Sequence, residues 1–428
     1  MKRLAVLTLA LLLAVLAYGQ EKPPKKKAPP SADPLASFSY DPGWPLDLKV
    51  VATRKAGGAE LREVDFESPV KGRVSATFVL PDPAGRSGKA GRAPAVVFMH
   101  WGQGNSSEFV GEALLLARAG VASALVDAPF ARTSPWRYGT EDPAKPEASR
   151  ALFVGNVVDL RRTVDVLCAM PEVDHDRIAF VGHSFGATWG GSLAAADRRI
   201  RACVLMGGLP SLTDLTLTGA RRYDEYLAMI QKNLPKEAWE SYVSQVGPIS
   251  SANLIGRAKG TAFLFQFAEY DSFISRKAAE AYVAAAPEPK AVKWYPCSHE
   301  FADARALQDR LDWLGSQLGF APPAPCKAGP AAVPPAPAGA PFPELSGPYL
   351  GQKPPGPKPG IFAPGIVSTG MFTRDVAMTP DGKELYFSVV QGGNEYATIL
   401  ATRLGPDGLW TRPEVCGFAS DPRYKTLE

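Results

Sequence analysis

Histidine and cysteine are scarce in this chain: its 428 residues hold four His and five Cys. The cysteines (Cys168, Cys203, Cys297, Cys326 and Cys416) are odd in number and widely scattered. That leaves no basis for a disulfide framework or for the close ligand spacing of a metal site. Buried free thiols are the expectation for Cys168 and Cys203. Excess charge of one sign is also missing. The formal net charge of +4 falls to +2 once Lys2 and Arg3 are set aside, and no basic face stands out. A nucleic-acid partner therefore has no footprint. The one long apolar run, Leu4 to Leu16, is too short to span a bilayer. It follows Lys2-Arg3 and precedes the small residues around Ala17-Tyr18-Gly19, the pattern of a secretory signal peptide over residues 1–19. The expectation is an exported protein, periplasmic or extracellular, with no membrane span after cleavage. No Cys follows the cut, so no lipid anchor is expected.

What remains is ordinary globular material, 46% hydrophobic and 21% charged, long enough for one large domain and a smaller one. Residues 20–45, rich in Pro, Lys and Ala, predict a disordered tether. From Leu48 to about Pro81 come β segments punctuated by Pro and Gly (Leu48–Thr53, Glu60–Phe66, Val74–Leu80). Then continuous apolar runs alternate with helical spacing. Strands are expected at Ala95–Met99, Val121–Val126, Arg177–Val181, Arg201–Met206, Thr261–Phe267 and Ala291–Tyr295. Helices are expected at Ser107–Ala119, 145–169, Thr188–Ala196, Ser275–Ala285 and Asp303–Leu318, with a helical insertion over 208–255 (Tyr223–Asn233, Glu237–Gln245). This is an α/β pattern: a mostly parallel sheet with helices on both faces, filling residues 46–320. A Pro/Ala-rich linker follows over 321–343. Residues 344–428 turn to β character, with strand pairs around Thr379-Pro380-Asp381-Gly382-Lys383 and Gly405-Pro406-Asp407-Gly408.

The stretch Val181-Gly182-His183-Ser184-Phe185-Gly186-Ala187 joins an apolar strand to a small-residue helix. A sharp Gly-x-Ser-x-Gly turn there lifts the Ser184 hydroxyl above the sheet edge. A nucleophilic Ser needs a base, an orienting carboxylate and donors for an oxyanion. With four histidines the search is short. His100 and His183 sit in glycine-rich turns, and His175 lies in an acidic loop. His299 stands between the last strand and the closing helix, where a base can reach back to Ser184. The preceding strand ends in Ala268-Glu269-Tyr270-Asp271-Ser272. Asp271 lies deeper in that loop and is favoured, with Glu269 the alternative. The order Ser184, Asp271, His299 is one of the three known triad orders. For the oxyanion, one donor is the N–H of Phe185. The other comes from Trp101 or Gly102, in the glycine-rich turn after Met99-His100. Trp239, Tyr242 and Leu227 of the insertion either cover the acyl or alcohol pocket or simply pack.

The His100-Trp101-Gly102 turn, the elbow, the Asp271 loop and Ser298-His299-Glu300-Phe301 together resemble the α/β-hydrolase fold, in its dienelactone hydrolase-like and acetyl xylan esterase-like branch, over residues 48–318. The resemblance implies ester hydrolysis, less often amide hydrolysis, without a metal or organic cofactor, on a small-molecule or glycan ester. Trp101 departs from the His-Gly start usual at that turn. Residues 345–414, with Gly347-Pro348-Tyr349-Leu350-Gly351-Gln352, Ala377–Lys383 and Leu385-Tyr386-Phe387, resemble WD-type β-propeller repeats. They hold material for one or two blades where closure takes about four; no partner for this segment is indicated. A prolyl oligopeptidase-like peptidase and a non-catalytic binding protein are the competing readings.

Overall fold

The continuous apolar runs form the middle of one large sheet. A computed structural model describes residues 33–419, apart from 87–90, 140, 302, 324–341, 355–359, 365, 369–371 and 392–395. The signal-peptide expectation, the tether through residue 32 and most of the linker lie outside the described residues. The elements below belong to the unit Leu35–Glu428.

Nine strands pair in the order β1-β2-β3-β5-β4-β6-β7-β8-β9. They are β1 (Lys49–Ala56), β2 (Ala59–Glu67), β3 (Arg73–Pro81), β4 (Ala93–Met99), β5 (Ala122–Val126), β6 (Val173–His183), β7 (Ile200–Met206), β8 (Ala262–Ala268) and β9 (Lys290–Tyr295). Strands β1 to β3 form an antiparallel meander, and β3 joins β5 antiparallel. From β5 to β9 every pair is parallel. The helices in the parallel part are α1 (Val110–Arg118), α2 (Pro146–Ala169), α3 (Phe185–Ala196), α7 (Arg276–Ala285) and α8 (Ala304–Leu318). The insertion between β7 and β8 holds α4 (Arg221–Asn233), α5 (Lys236–Val246) and the single turn α6 (Ser251–Leu254).

Two apolar clusters sandwich the sheet, as a doubly covered parallel sheet requires. One joins α2, α3 and α7 to one face, and the other joins α1 and α8 to the opposite face. Strand β8 shows the alternation directly. Phe263, Phe265 and Phe267 stack along the first face with ring centroids 6.0 and 6.1 Å apart, while Leu264 and Ala268 serve the second. Strand β1, at the rim, is exposed at every position but its last and carries a bulge between Val50 and Ala52.

Three expectations shift. Ordered packing begins before residue 46: Phe38 is fully buried, its carbonyl accepts from Arg161 at 2.6 Å, and Tyr40 donates to Asp165 at 2.7 Å. The aromatic residues of this segment outweigh its proline-rich start. His175 sits on the exposed beginning of β6 rather than in a loop. The two C-terminal strand pairs join into one four-stranded antiparallel sheet, β10 (Phe372–Met378), β11 (Glu384–Gln391), β12 (Tyr396–Arg403) and β13 (Glu414–Val415). Its core is its own, built on Leu350, Val367, Leu385, Phe387 and Trp410, with the Trp410 indole donating to Gly347 at 2.8 Å. Cys168, Cys203, Cys297 and Cys416 are free thiols, and Cys326 lies outside the described residues. Among the described residues no helix is long and apolar enough to cross a membrane, and no cluster of His, Cys, Asp or Glu could hold a metal ion.

Candidate active site

Strand β6 ends at His183, α3 begins at Phe185, and Ser184 alone makes the turn between them. Its φ is 51° and its ψ is −105°, a backbone conformation that costs a side-chain-bearing residue about 1–3 kcal/mol. The surroundings hold it there. Ser184 N–H donates to Met206 O on β7 at 2.8 Å, and Thr188 N–H donates back to Ser184 O at 2.7 Å. The flanking glycines are obligatory because the turn is so tight. A Cβ on Gly182 would lie 2.5 Å from the Gly186 carbonyl carbon, and one on Gly186 would lie 2.3 Å from Met99 O. Phe185 opens the helix, so its N–H has no partner within it.

The loop after β8 brings Asp271 to His299. Asp271 Oδ1 accepts the N–H groups of Phe273 and Ile274 at 2.8 and 2.9 Å, which aims Oδ2 at His299 Nδ1, 2.7 Å away. Both side chains are buried. Glu269 is exposed, one register step along the strand end, where its N–H pairs with Tyr295 O. The carboxylate fixes the proton of His299 on Nδ1 and leaves Nε2 as the basic nitrogen. Below the ring runs Gly207, with φ of 55°; a Cβ there would stand 3.2 Å from His299 Cε1. Phe273 closes the other side at 4.8 Å between ring centroids.

Ser184 and His299 line one cavity of about 440 Å³, together with Trp101, Gly102, Gln103, His183, Arg222, Phe273 and Glu300. The turn carrying Trp101 and Gly102 is fastened from beneath. His100 Nδ1 donates to Trp101 O at 2.6 Å, its Nε2 accepts from Ala128 N–H at 3.1 Å, and its carbonyl accepts from Gly186 N–H at 3.2 Å. Burial pushes the His100 imidazole below the usual histidine range, so it stays neutral in this role.

Three contributors were not singled out from the sequence. His183 occupies a variable position of the elbow motif, Arg222 comes from the insertion, and Gly207 opens the loop after β7. Only Gly207, in a Gly-Gly pair directly after a strand, offered a hint. The large apolar side chains singled out in the insertion pack instead into the core: Tyr242 and Leu227 are buried there, and Trp239 stacks on Tyr242 at 5.6 Å.

The fold that carries this Gly-x-Ser-x-Gly turn and the Asp271–His299 pair has counterparts among known proteins. The sequence matches the family model described as BAAT / acyl-CoA thioester hydrolase C terminal over residues 161–241, which contain the elbow. The structure superposes on an acetyl xylan esterase from Paenibacillus sp. R4 with a TM-score of 0.56 and 18% identity, covering 67% of this chain and 92% of that one. Acetyl xylan esterase 1 from Thermoanaerobacterium sp. JW/SL YS485 gives a TM-score of 0.53 at 22% identity, covering 67% of this chain and 91% of that one. Residues 49–318 have the α/β-hydrolase fold. Family match and fold agree on a hydrolase. Comparison with curated proteins finds no match.

Proposed function

We propose that this α/β-hydrolase is an exported serine esterase working through Ser184, His299 and Asp271. The observation that carries the reading is the 2.7 Å contact from His299 Nδ1 to Asp271 Oδ2, with Ser184 on the wall of the same cavity. Ser184 Oγ attacks the ester carbonyl while His299 Nε2 takes its proton, and Asp271 stabilises the imidazolium that forms. The developing oxyanion is received by the N–H of Phe185 and that of Trp101 or Gly102. His299 returns the proton to the departing alkoxide, and the acyl group stays on Ser184. Water then attacks the acyl carbonyl as His299 takes its proton, and the acid departs as His299 returns that proton to Ser184 Oγ. The acetyl xylan esterases of like fold support an acylated sugar or another small ester as substrate. The signal-like residues 1–19 support export.

The family match favours a second reading, in which the scissile bond is a thioester. The same three residues would serve, since a thiolate leaves more readily than an alkoxide. Nitrophenyl acetate, acetylated xylo-oligosaccharides and acyl-CoA thioesters should be compared on wild type and Ser184→Ala. The expected result is turnover of the oxygen esters and a loss of about 10,000-fold or more in the variant. Unchanged hydrolysis by a folded Ser184→Ala protein would end the serine mechanism, and a clear preference for the CoA substrates would select the thioester reading.

A further inference from the structure

We propose that His183 is a positioning residue: its imidazole holds the main chain of the base loop against the nucleophile elbow and so sets where His299 stands. The inference rests on the reading of Ser184 and His299 as nucleophile and base. His183 Nε2 lies 2.7 Å from the carbonyl oxygen of His299. A carbonyl can only accept, so Nε2 carries the hydrogen and donates. The side chain is 4% exposed. Its ring meets Trp101 edge-on at 5.2 Å, His299 at 5.2 Å and Phe301 edge-on at 5.5 Å. One imidazole therefore touches the oxyanion turn, the base and Phe301 two residues beyond the base, and is itself bonded in sequence to Ser184.

The base loop needs such an anchor. It leaves β9 at Tyr295 and enters α8 at Ala304, with Phe301 held at a φ of 55°. A non-glycine residue in that region persists only when its surroundings impose it. The Asp271 bond fixes the His299 ring, the Tyr270 N–H holds the loop two residues earlier at Cys297 O, 3.1 Å away, and the His183 bond holds the His299 carbonyl itself. Burial keeps the His183 imidazole neutral, so the bond does not switch with pH in the working range. Displacement of a reacting group by about 1 Å can cost ~100-fold in rate.

Two substitutions in the full chain separate the hydrogen bond from plain packing. His183→Phe keeps an aromatic ring and removes the donor, while His183→Gln keeps an N–H at similar reach and removes the ring. The expected result for His183→Phe is a kcat lower by about 10- to 100-fold with KM within about twofold, and a fluorophosphonate labelling rate lowered in parallel. His183→Gln should recover to within about threefold of wild type. Wild-type rates in His183→Phe, or better function in Phe than in Gln, would overturn the proposal. Should either variant fail to fold, nitrogen-15 histidine spectra of the wild type decide. The proposal requires His183 in the Nε2–H form, unchanged from pH 5 to 8; an Nδ1–H form or a titration in that range overturns it. Ser184→Ala run alongside distinguishes the two levels, since an active Ser184→Ala sinks the site reading itself, and an inactive one beside a fully active His183→Phe sinks only the anchor.

Discussion

Ser184 is held where a glycine would rest more easily, and that strain belongs to the site. Replacing it with glycine should remove activity and raise stability by about 1 kcal/mol, read as a shift in the denaturant midpoint. His183 makes a second residue-scale prediction. Burial, with the charges of His299 and Arg310 nearby, pushes its pKa down to about 3. Its folded pKa lies below the unfolded value, so between those two values the unfolded chain binds the extra proton. The stability it contributes is present above about pH 6.5 and declines as pH falls toward 3, by about 2 kcal/mol between pH 7 and 5. Urea titrations at the two pH values should show a smaller acid loss in His183→Gln than in wild type. Ser184, Asp271 and His299 were legible because each sits at a turn directly after an apolar strand, where the fold exposes side chains. His183 and Gly207 were not, because their roles depend on a loop about a hundred residues away in sequence meeting them in space.

At the scale of elements, the apolar runs of β4 to β8 announced their strands because residues covered on both faces leave no polar alternation to blur the reading. Boundaries moved by a few residues where polar ends continue the strand, as at Val173–Asp176 of β6. The insertion was legible as helices but not in its orientation. Its amphipathic faces show that something is covered, not what. Trp239 and Tyr242 cover the core, and α4 instead presents Arg222 to the cavity, its guanidinium 5.2 Å from the Phe273 ring. An ester that carries a carboxylate would meet this guanidinium one ring away from His299. Arg222→Ala should raise KM for an ester bearing a carboxylate by about three- to tenfold and leave a neutral ester of the same size nearly unchanged. Equal effects on the two substrates in steady-state assays would assign Arg222 a wall role alone.

Across the whole molecule, the second face of the sheet is tied together by a buried polar group that no local pattern reveals. Arg310 of α8 makes bonds of 2.9 and 2.6 Å to Glu112 of α1 and a bond of 2.9 Å to Gln266 of β8. Gln266 in turn donates to Tyr295 Oη and Ala306 O. Arg310→Met strands the Glu112 carboxylate and should cost about 3–5 kcal/mol, whereas Glu112→Leu with Arg310→Met should restore most of it, by chemical denaturation. The C-terminal sheet was legible from its Pro-Asp-Gly turns, but its single four-stranded form was not, since β13 is only two residues long.

The rim strand β1 leaves one row of backbone donors and acceptors open to solvent beside the bare side chains of Val50 and Val51. Such a rim invites a foreign strand to zip onto it, and its bulge together with the cations Lys49, Arg54 and Lys55 is what turns that visitor away. Self-association at high concentration is thus expected to respond to the charges along this border, where β1 has no further strand partner among the described residues.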